Sequence, residues 1–264
     1  MKADLNIAVF LRDGSTKLGK CYFTPPFKVM NITEDKQSEQ LHLMVMSSSP
    51  GILDEDEYTM KIGIEEECSL QLHTQSYQRL FNMKKGATQS MEVTLQNNAS
   101  FVYLPHPAVP HENSIFTAKN KFYLKDNYFF LFGEILTCGR KLNGEVFQFS
   151  KYHNITEVFI NDTLVIKENL LMQPILVDVQ AMGQLEGYTH QASFIFLHDG
   201  TDMQSLCDEV YDFLLSKNEI TFGVSITHCN GLLVRILGYK AEQLYTYLKN
   251  IASLIQERKE LLAS

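Results

Sequence analysis

Glu134, Arg140 and Glu145 lie close together in a stretch that reads Gly133-Glu134-Ile135-Leu136-Thr137-Cys138-Gly139-Arg140, followed by Gly144-Glu145-Val146-Phe147. Two carboxylates around one guanidinium can do either of two things. Arg140 can grip a carboxylate with two parallel hydrogen bonds and so fix a turn, or the carboxylates can contact a cation. The spacing places Glu134, Arg140 and Glu145 on a strand, a loop and a strand, with glycine at each bend. Asp54 opens a second acidic cluster, Asp54-Glu55-Asp56-Glu57, just after Ser49-Pro50-Gly51. Thr74 and Gln75 follow His73 at the end of an apolar run, ahead of Ser76 and Arg79. Phe101-Val102-Tyr103-Leu104-Pro105 leads into a loop rich in proline and histidine.

Other chemistry is sparsely provided for. His106 and His111 are five positions apart in the Pro105–Pro110 loop. They read as two exposed loop histidines, with a shared cation as the sharper alternative. His228-Cys229 sits at a turn between strands, where neighbouring side chains point to opposite faces and do not ligate together. Glu65-Glu66-Glu67-Cys68 reads as a solvated acidic turn. Cys138 has a cation close in sequence, but a nucleophilic thiol also needs a base, and a free cysteine more often behaves as a small buried apolar residue. The phosphate loop, dinucleotide fingerprint, His-Glu-x-x-His and Gly-x-Ser-x-Gly motifs are absent from the sequence, as are paired metal-ligating cysteines.

The elements that must position these residues are mostly strands. Leu5, Ile7, Val9 and Leu11 alternate with small or polar residues and run into Asp13-Gly14, a hairpin turn. Tyr58, Met60, Ile62 and Ile64 repeat the pattern, as do Met91, Val93 and Leu95 before Asn97-Asn98. Ile155, Val158 and Ile160 run into Asn161-Asp162, with Leu164 and Ile166 beyond. Many short strands with close turns imply packed sheets, a barrel or a β-helix, and no repeat of fixed length selects among them. After Asp199-Gly200-Thr201-Asp202, residues Met203, Leu206, Cys207, Val210, Phe213 and Leu214 fall on one helical face. Strands follow at 220–227 and 231–237, then a last helix over 241–262 with Leu244, Leu248, Ile251, Ile255 and Leu262 spaced along it. With no Pro/Gly/Ser-rich linker between these parts, residues 1–264 read as one domain.

The 264 residues carry a formal net charge of −8, and 45% are hydrophobic. That composition suits a globular chain with a sizeable core. The acidic balance and the lack of a basic stripe argue against a nucleic-acid binder. No apolar run has the length of a secretory signal or a membrane span, and five scattered cysteines form no disulfide framework. The expectation is a cytoplasmic protein without a membrane anchor.

Taken in order, the segments Ser48-Ser49-Pro50-Gly51 with Asp54, Thr74-Gln75-Ser76, Tyr103-Leu104-Pro105 and Gly133 through Phe147 resemble the UreD family of urease accessory proteins, also called UreH. Gly231-Leu232-Leu233-Val234-Arg235-Ile236-Leu237-Gly238 resembles the family's segment before its last helix, so the resemblance covers most of the chain. Ile52 stands where many members carry a second glycine, and the usual acidic residue after Pro105 is missing. The resemblance implies a mostly β fold, with stacked sheets in a β-helix-like arrangement and two C-terminal helices. It also implies a non-catalytic assembly factor that binds a UreF-like helical protein, recruits a UreG-like GTPase through it and docks on urease apoprotein. No cofactor is expected to be tightly bound; nickel is passed on transiently. A conduit must release what it carries, and Cys/His clusters would trap a borderline metal, so the sparse ligand set suits that role. Asp54, Glu134 and Glu145 are the candidates for contact with the passing ion. Thr74, Gln75 and Arg140 are further functional candidates, Arg140 as the residue that fixes its loop. The competing expectations are a thiol- or metal-dependent hydrolase using Cys138 or His106 with His111, and a stand-alone nickel-binding protein.

Overall fold

The computed structural model of the protein describes residues 1–35 and 38–263, with side chains through residue 258. In chain order the strands are β1 (Lys2–Arg12), β2 (Ser15–Phe23), β3 (Phe27–Asn31), β4 (Gln40–Ser47), β5 (Glu57–Ile64), β6 (Ser69–Thr74), β7 (Gln78–Leu80), β8 (Ala87–Leu95) and β9 (Ser100–Tyr103). They continue as β10 (Ala108–Pro110), β11 (Ile115–Leu124), β12 (Phe129–Thr137), β13 (Lys151–Ile160), β14 (Thr163–Met172) and β15 (His190–His198). Helix α1 (Met203–Leu215), β16 (Thr221–Ile226), β17 (Gly231–Gly238) and α2 (Ala241–Ala263) complete the chain.

Two-residue turns with positive φ at both positions join β1 to β2 through Asp13-Gly14 and β13 to β14 through Asn161-Asp162. Their backbone twist matches that of the flanking strands. Between these hairpins the chain coils. It alternates between a first sheet, in the order β14-β13-β11-β8-β5-β1-β2, and a second, in the order β16-β17-β15-β12-β9-β6-β4-β3. The ladders β1-β5-β8-β11-β13 and β4-β6-β9-β12 are parallel. Short strands β7 and β10, with Ile52 bridged to Leu80, make a narrow third side. The result is the stacked, β-helix-like arrangement that the resemblance implies. The coils are unequal: Glu57 pairs with Thr88 (31 positions on), Phe116 with Ala87 (29 on) and Lys151 with Ile115 (36 on). Unequal coils leave no fixed period for the sequence to display.

Two apolar layers hold the molecule together. In β12, Phe130, Phe132 and Leu136 face the core between the two sheets, while Phe129, Leu131 and Ile135 face a second core beneath the helices. Each such side chain, fully buried, contributes roughly 1.5–3 kcal/mol. Helix α1 begins at Asp202, whose carboxylate accepts the Ser205 amide, and buries Met203, Leu206, Val210 and Leu214. Cys207 and Phe213 flank that stripe half-buried. Helix α2 buries Leu244, Leu248, Ile251 and Ile255, and Leu262 lies outside the described side chains. A Cβ on Gly133 would meet Leu104 at 2.6 Å and Leu248 at 3.2 Å, so glycine there lets α2 approach β12.

Three expectations need correction. In β13 the inward side chains are Tyr152, Asn154, Thr156 and Val158, and Ile155 and Ile160 lie half-buried. β13 stays in unbroken register with β11, so Ile155 takes the outward parity while Asn154 and Thr156 take the inward one, and apolar type does not mark the inner face of this strand. Glu145 is in a loop, not a strand. Gly144 takes a left-handed φ of 85° after a one-turn helix at Lys141–Asn143, and Phe147 also has positive φ, which rules out an extended run. His111 is buried at 5% exposure, packed on Phe81, rather than exposed. The proline loop includes β10, whose pairing draws His111 inward.

Candidate functional site

Inward-facing positions of the first sheet form rows across the parallel strands. One row is Ile7, Ile62, Val93, Phe122 and Val158, all apolar and buried. The next two are Leu5-Met60-Met91-Asn120-Thr156 and Ala3-Tyr58-Gln89-Ala118-Asn154. In these rows amides and hydroxyls enter the core, because Asn120, Asn154 and Thr156 occupy the parity that should be apolar. Opposite them, Glu134 projects from the inward face of β12 beside Phe132 and Leu136.

Polar groups at core positions leave space between the sheets. A cavity of about 80 Å³ is lined by Glu134, Asn120, Asn154, Tyr103, Tyr152 and His106, among others. A neighbouring cavity of about 120 Å³ extends beneath Ser49, Pro50 and Gly51. Both are lined by Thr74, Ser76, Gln78, Gln89 and Tyr103, so the two form one polar space. Gln78 donates to Gln89 across it at 2.7 Å.

Glu134 is the only carboxylate lining this space among the described residues. The Asn154 amide donates to both of its oxygens at 2.6 Å, and Asn120 in turn donates to Asn154 and Thr156 at 3.2 Å. Burial pushes the Glu134 carboxyl up to about 7, the nearby Glu168 adds to the rise, and the Asn154 hydrogen bond opposes it. Glu168 is itself held by Ser193 at 2.8 Å and Arg235 at 2.7 Å, and Ser193 is the register partner of Glu134. Burial also raises the phenols of Tyr103 and Tyr152, which stay protonated as neutral groups. A carboxyl poised near neutrality among otherwise uncharged groups can exchange a proton for a cation.

The structure divides the sequence candidates. Thr74, Gln75 and Glu134 line the polar space. Thr74 Oγ1 also accepts the His106 amide at 2.9 Å and meets the His106 ring at the same distance. Asp54, Arg140 and Glu145 lie elsewhere. Asp54 accepts the amides of Lys85 and Gly86 at 2.9 and 2.8 Å, and the Gly86 bond leads in holding its carboxyl below the usual range. Arg140 Nε donates to Glu145 Oε2 at 2.9 Å and its Nη2 donates to Oε1, the two-pronged clamp that its spacing allows. The Glu112 amide donates to the same carboxylate, which the Arg140 hydrogen bond keeps below the ordinary range. The clamp ties the 139–150 loop to the loop after β10.

The other candidate chemistry does not assemble. Cys138 is fully buried and burial pushes its thiol up, the reverse of an activated nucleophile. His106 packs on Tyr245 and His111 on Phe81. Among the described residues no group of three or more His, Cys, Asp or Glu side chains is arranged to hold a metal ion, and no helix is long and apolar enough to cross a membrane. Sequence reasoning missed Asn120, Asn154, Thr156, Gln89 and Glu168. A signal was present for the first three: each is a polar residue at the inward parity of an alternating strand.

The chain also has close counterparts. Residues 1–263 match the UreD urease accessory protein family. The urease accessory protein UreD of Flavobacterium johnsoniae is 51% identical over 248 residues, covering 94% of this chain and 90% of that protein. The protein of the same name from Acetivibrio thermocellus is 32% identical over 256 residues, covering 95% and 96%. That from Haemophilus influenzae strain 86-028NP is 28% identical over 269 residues, covering 97% and 99%. With a family match along nearly its full length and a relative identical at half its positions, this chain belongs to the UreD family of urease accessory proteins.

Proposed function

We propose that this urease accessory protein is a non-catalytic, cytoplasmic scaffold that passes nickel through the polar space between its two sheets toward urease apoprotein. In this reading it receives the ion from a UreF-like helical protein, which couples it to a UreG-like GTPase. The observation that carries the reading is the placement of Glu134: one proton-exchanging carboxyl in an inter-sheet space whose other polar lining is amides, phenols, hydroxyls and the His106 imidazole. Amides and hydroxyls are weak ligands for a borderline metal, so an ion meets one anionic stop and moves on. Asp54 and Glu145 serve the passage indirectly, by holding the loops at Lys85-Gly86 and at Glu112. Thr74 and Gln75 line the stretch beneath Ser49-Pro50-Gly51.

The test is urease activation with Glu134→Gln, which keeps size and hydrogen bonding and removes the charge. Activated urease is expected to fall at least about tenfold per mole of apoprotein, with the accessory complex still co-purifying. Full activation by this variant would sink the passage reading. Loss of co-purification would instead assign Glu134 to assembly.

A further inference from the structure

On the outer face of the second sheet, away from the polar space, two imidazoles converge. His42 on β4 and His73 on β6 lie with Nδ1 and Nε2 only 3.2 Å apart, their rings within 18° of parallel. Neither residue took part in the passage described above. We propose that His42 and His73 form a binding site for a borderline divalent metal ion, nickel being the natural occupant, with water or a partner's donor completing the coordination. This site goes beyond the passage reading and stands on its own geometry.

Two imidazole nitrogens bound to one ion at about 2.0–2.1 Å, at angles between square and tetrahedral, lie about 2.9–3.4 Å from each other. The observed separation falls inside that range. Both side chains are half-buried on parallel strands whose register is pinned: His42 pairs with Gln71, and Met44 with His73. The ligand pair is therefore held by backbone ladders and not by flexible loops, and Met44, on the same outward face as His42, offers a thioether of suitable softness. Burial is the leading cause that lowers both imidazoles below the ordinary histidine value, opposed at His42 by Glu34 and reinforced at His73 by His42 and His106. Metal binding needs the neutral ring, the form that burial favours at both positions. His73 lies close enough to His106 to feel its charge, and His106 lines the polar space.

The experiment is calorimetric titration of nickel into the purified full-length chain, tag removed, against His42→Gln, His73→Gln and the double variant. His153→Gln, a half-buried histidine bonded to Asn169, is the control, and Glu134→Gln distinguishes this site from the internal space. The wild type and His153→Gln are expected to bind one equivalent that the double variant binds at least about tenfold more weakly. An unchanged isotherm in the double variant overturns the site, leaving a histidine–histidine hydrogen bond only. So does loss of the equivalent in Glu134→Gln, which would place the ion in the internal space. In case the variants fold poorly, the wild type supplies a second measurement. Nickel must protect His42 and His73 from diethyl pyrocarbonate, read by mass spectrometry, and equal labelling with and without nickel refutes the proposal.

Discussion

Two rows of the same sheet, one step apart along its strands, have been given opposite tasks. Ile7, Ile62, Val93, Phe122 and Val158 close the gap between the sheets with apolar volume. In the neighbouring row, Leu5-Met60-Met91-Asn120-Thr156, the same inward parity begins apolar and ends in an amide and a hydroxyl, and its Asn120 donates to Asn154, the residue that holds Glu134. The first row is a packing device. The second spends part of its packing on a hydrogen-bonded lining and leaves room for solvent or an ion. The difference teaches that a β-helix-like core can be solid on one level and hold a polar-lined cavity on the next with no change of fold.

Four substitutions would break or sharpen that contrast. Phe122→Ala, in the solid row, should cost about 3–5 kcal/mol in chemical denaturation, because Phe122 is fully buried among Phe101, Phe130 and Phe132. A cost below about 1 kcal/mol would mean that this row is not closely packed. At Glu134 the expected effect has the opposite sign. The carboxyl ionises near 4.5 in an unfolded chain and near about 7 in the folded protein. Between those values the folded state holds the extra proton, so this group makes stability fall as pH rises. Glu134→Gln should therefore match the wild type at about pH 4 and exceed it at about pH 8, by on the order of 3 kcal/mol. Parallel stability curves for the two proteins would show that the carboxyl is not desolvated.

Asn154→Ala removes the donor to Glu134 and should cost about 1–2 kcal/mol at neutral pH. It should also move the Glu134 titration, followed by carboxyl NMR, to still higher pH, since the hydrogen bond that opposes the rise is gone. An unmoved midpoint would disconnect the two groups. The smallest effect belongs to Glu145→Gln, outside both rows. It should leave the midpoint of unfolding nearly unchanged while amide exchange in the 139–150 loop quickens, because the Arg140 clamp is what holds that loop. Unchanged exchange would show that Gly139 and the one-turn helix suffice.

Much of this was legible residue by residue. The spacing of Leu5, Ile7 and Val9, the turn at Asp13-Gly14 and the stripe Met203-Leu206-Val210-Leu214 all appear where their patterns place them, because side-chain parity and helical pitch are local properties. Arg140 with Glu145 was also readable as a clamp, since both partners lie within one loop. Glu134 stood out in its motif, but its environment did not. β13 misled because Ile155 takes the outward parity while Asn154 and Thr156 take the inward one.

The sequence by itself determined the strands, the turns, the helical faces and membership of the UreD family. Tertiary structure alone decided which rows are solid, which are polar, and that Glu134 meets Asn154, itself bonded to Asn120, rather than Arg140. The reason is the unequal length of the coils. Each strand's parity is set by its own residues, but the row that it joins depends on how many residues the intervening turns consume. That number becomes visible only when the parallel ladders are in register.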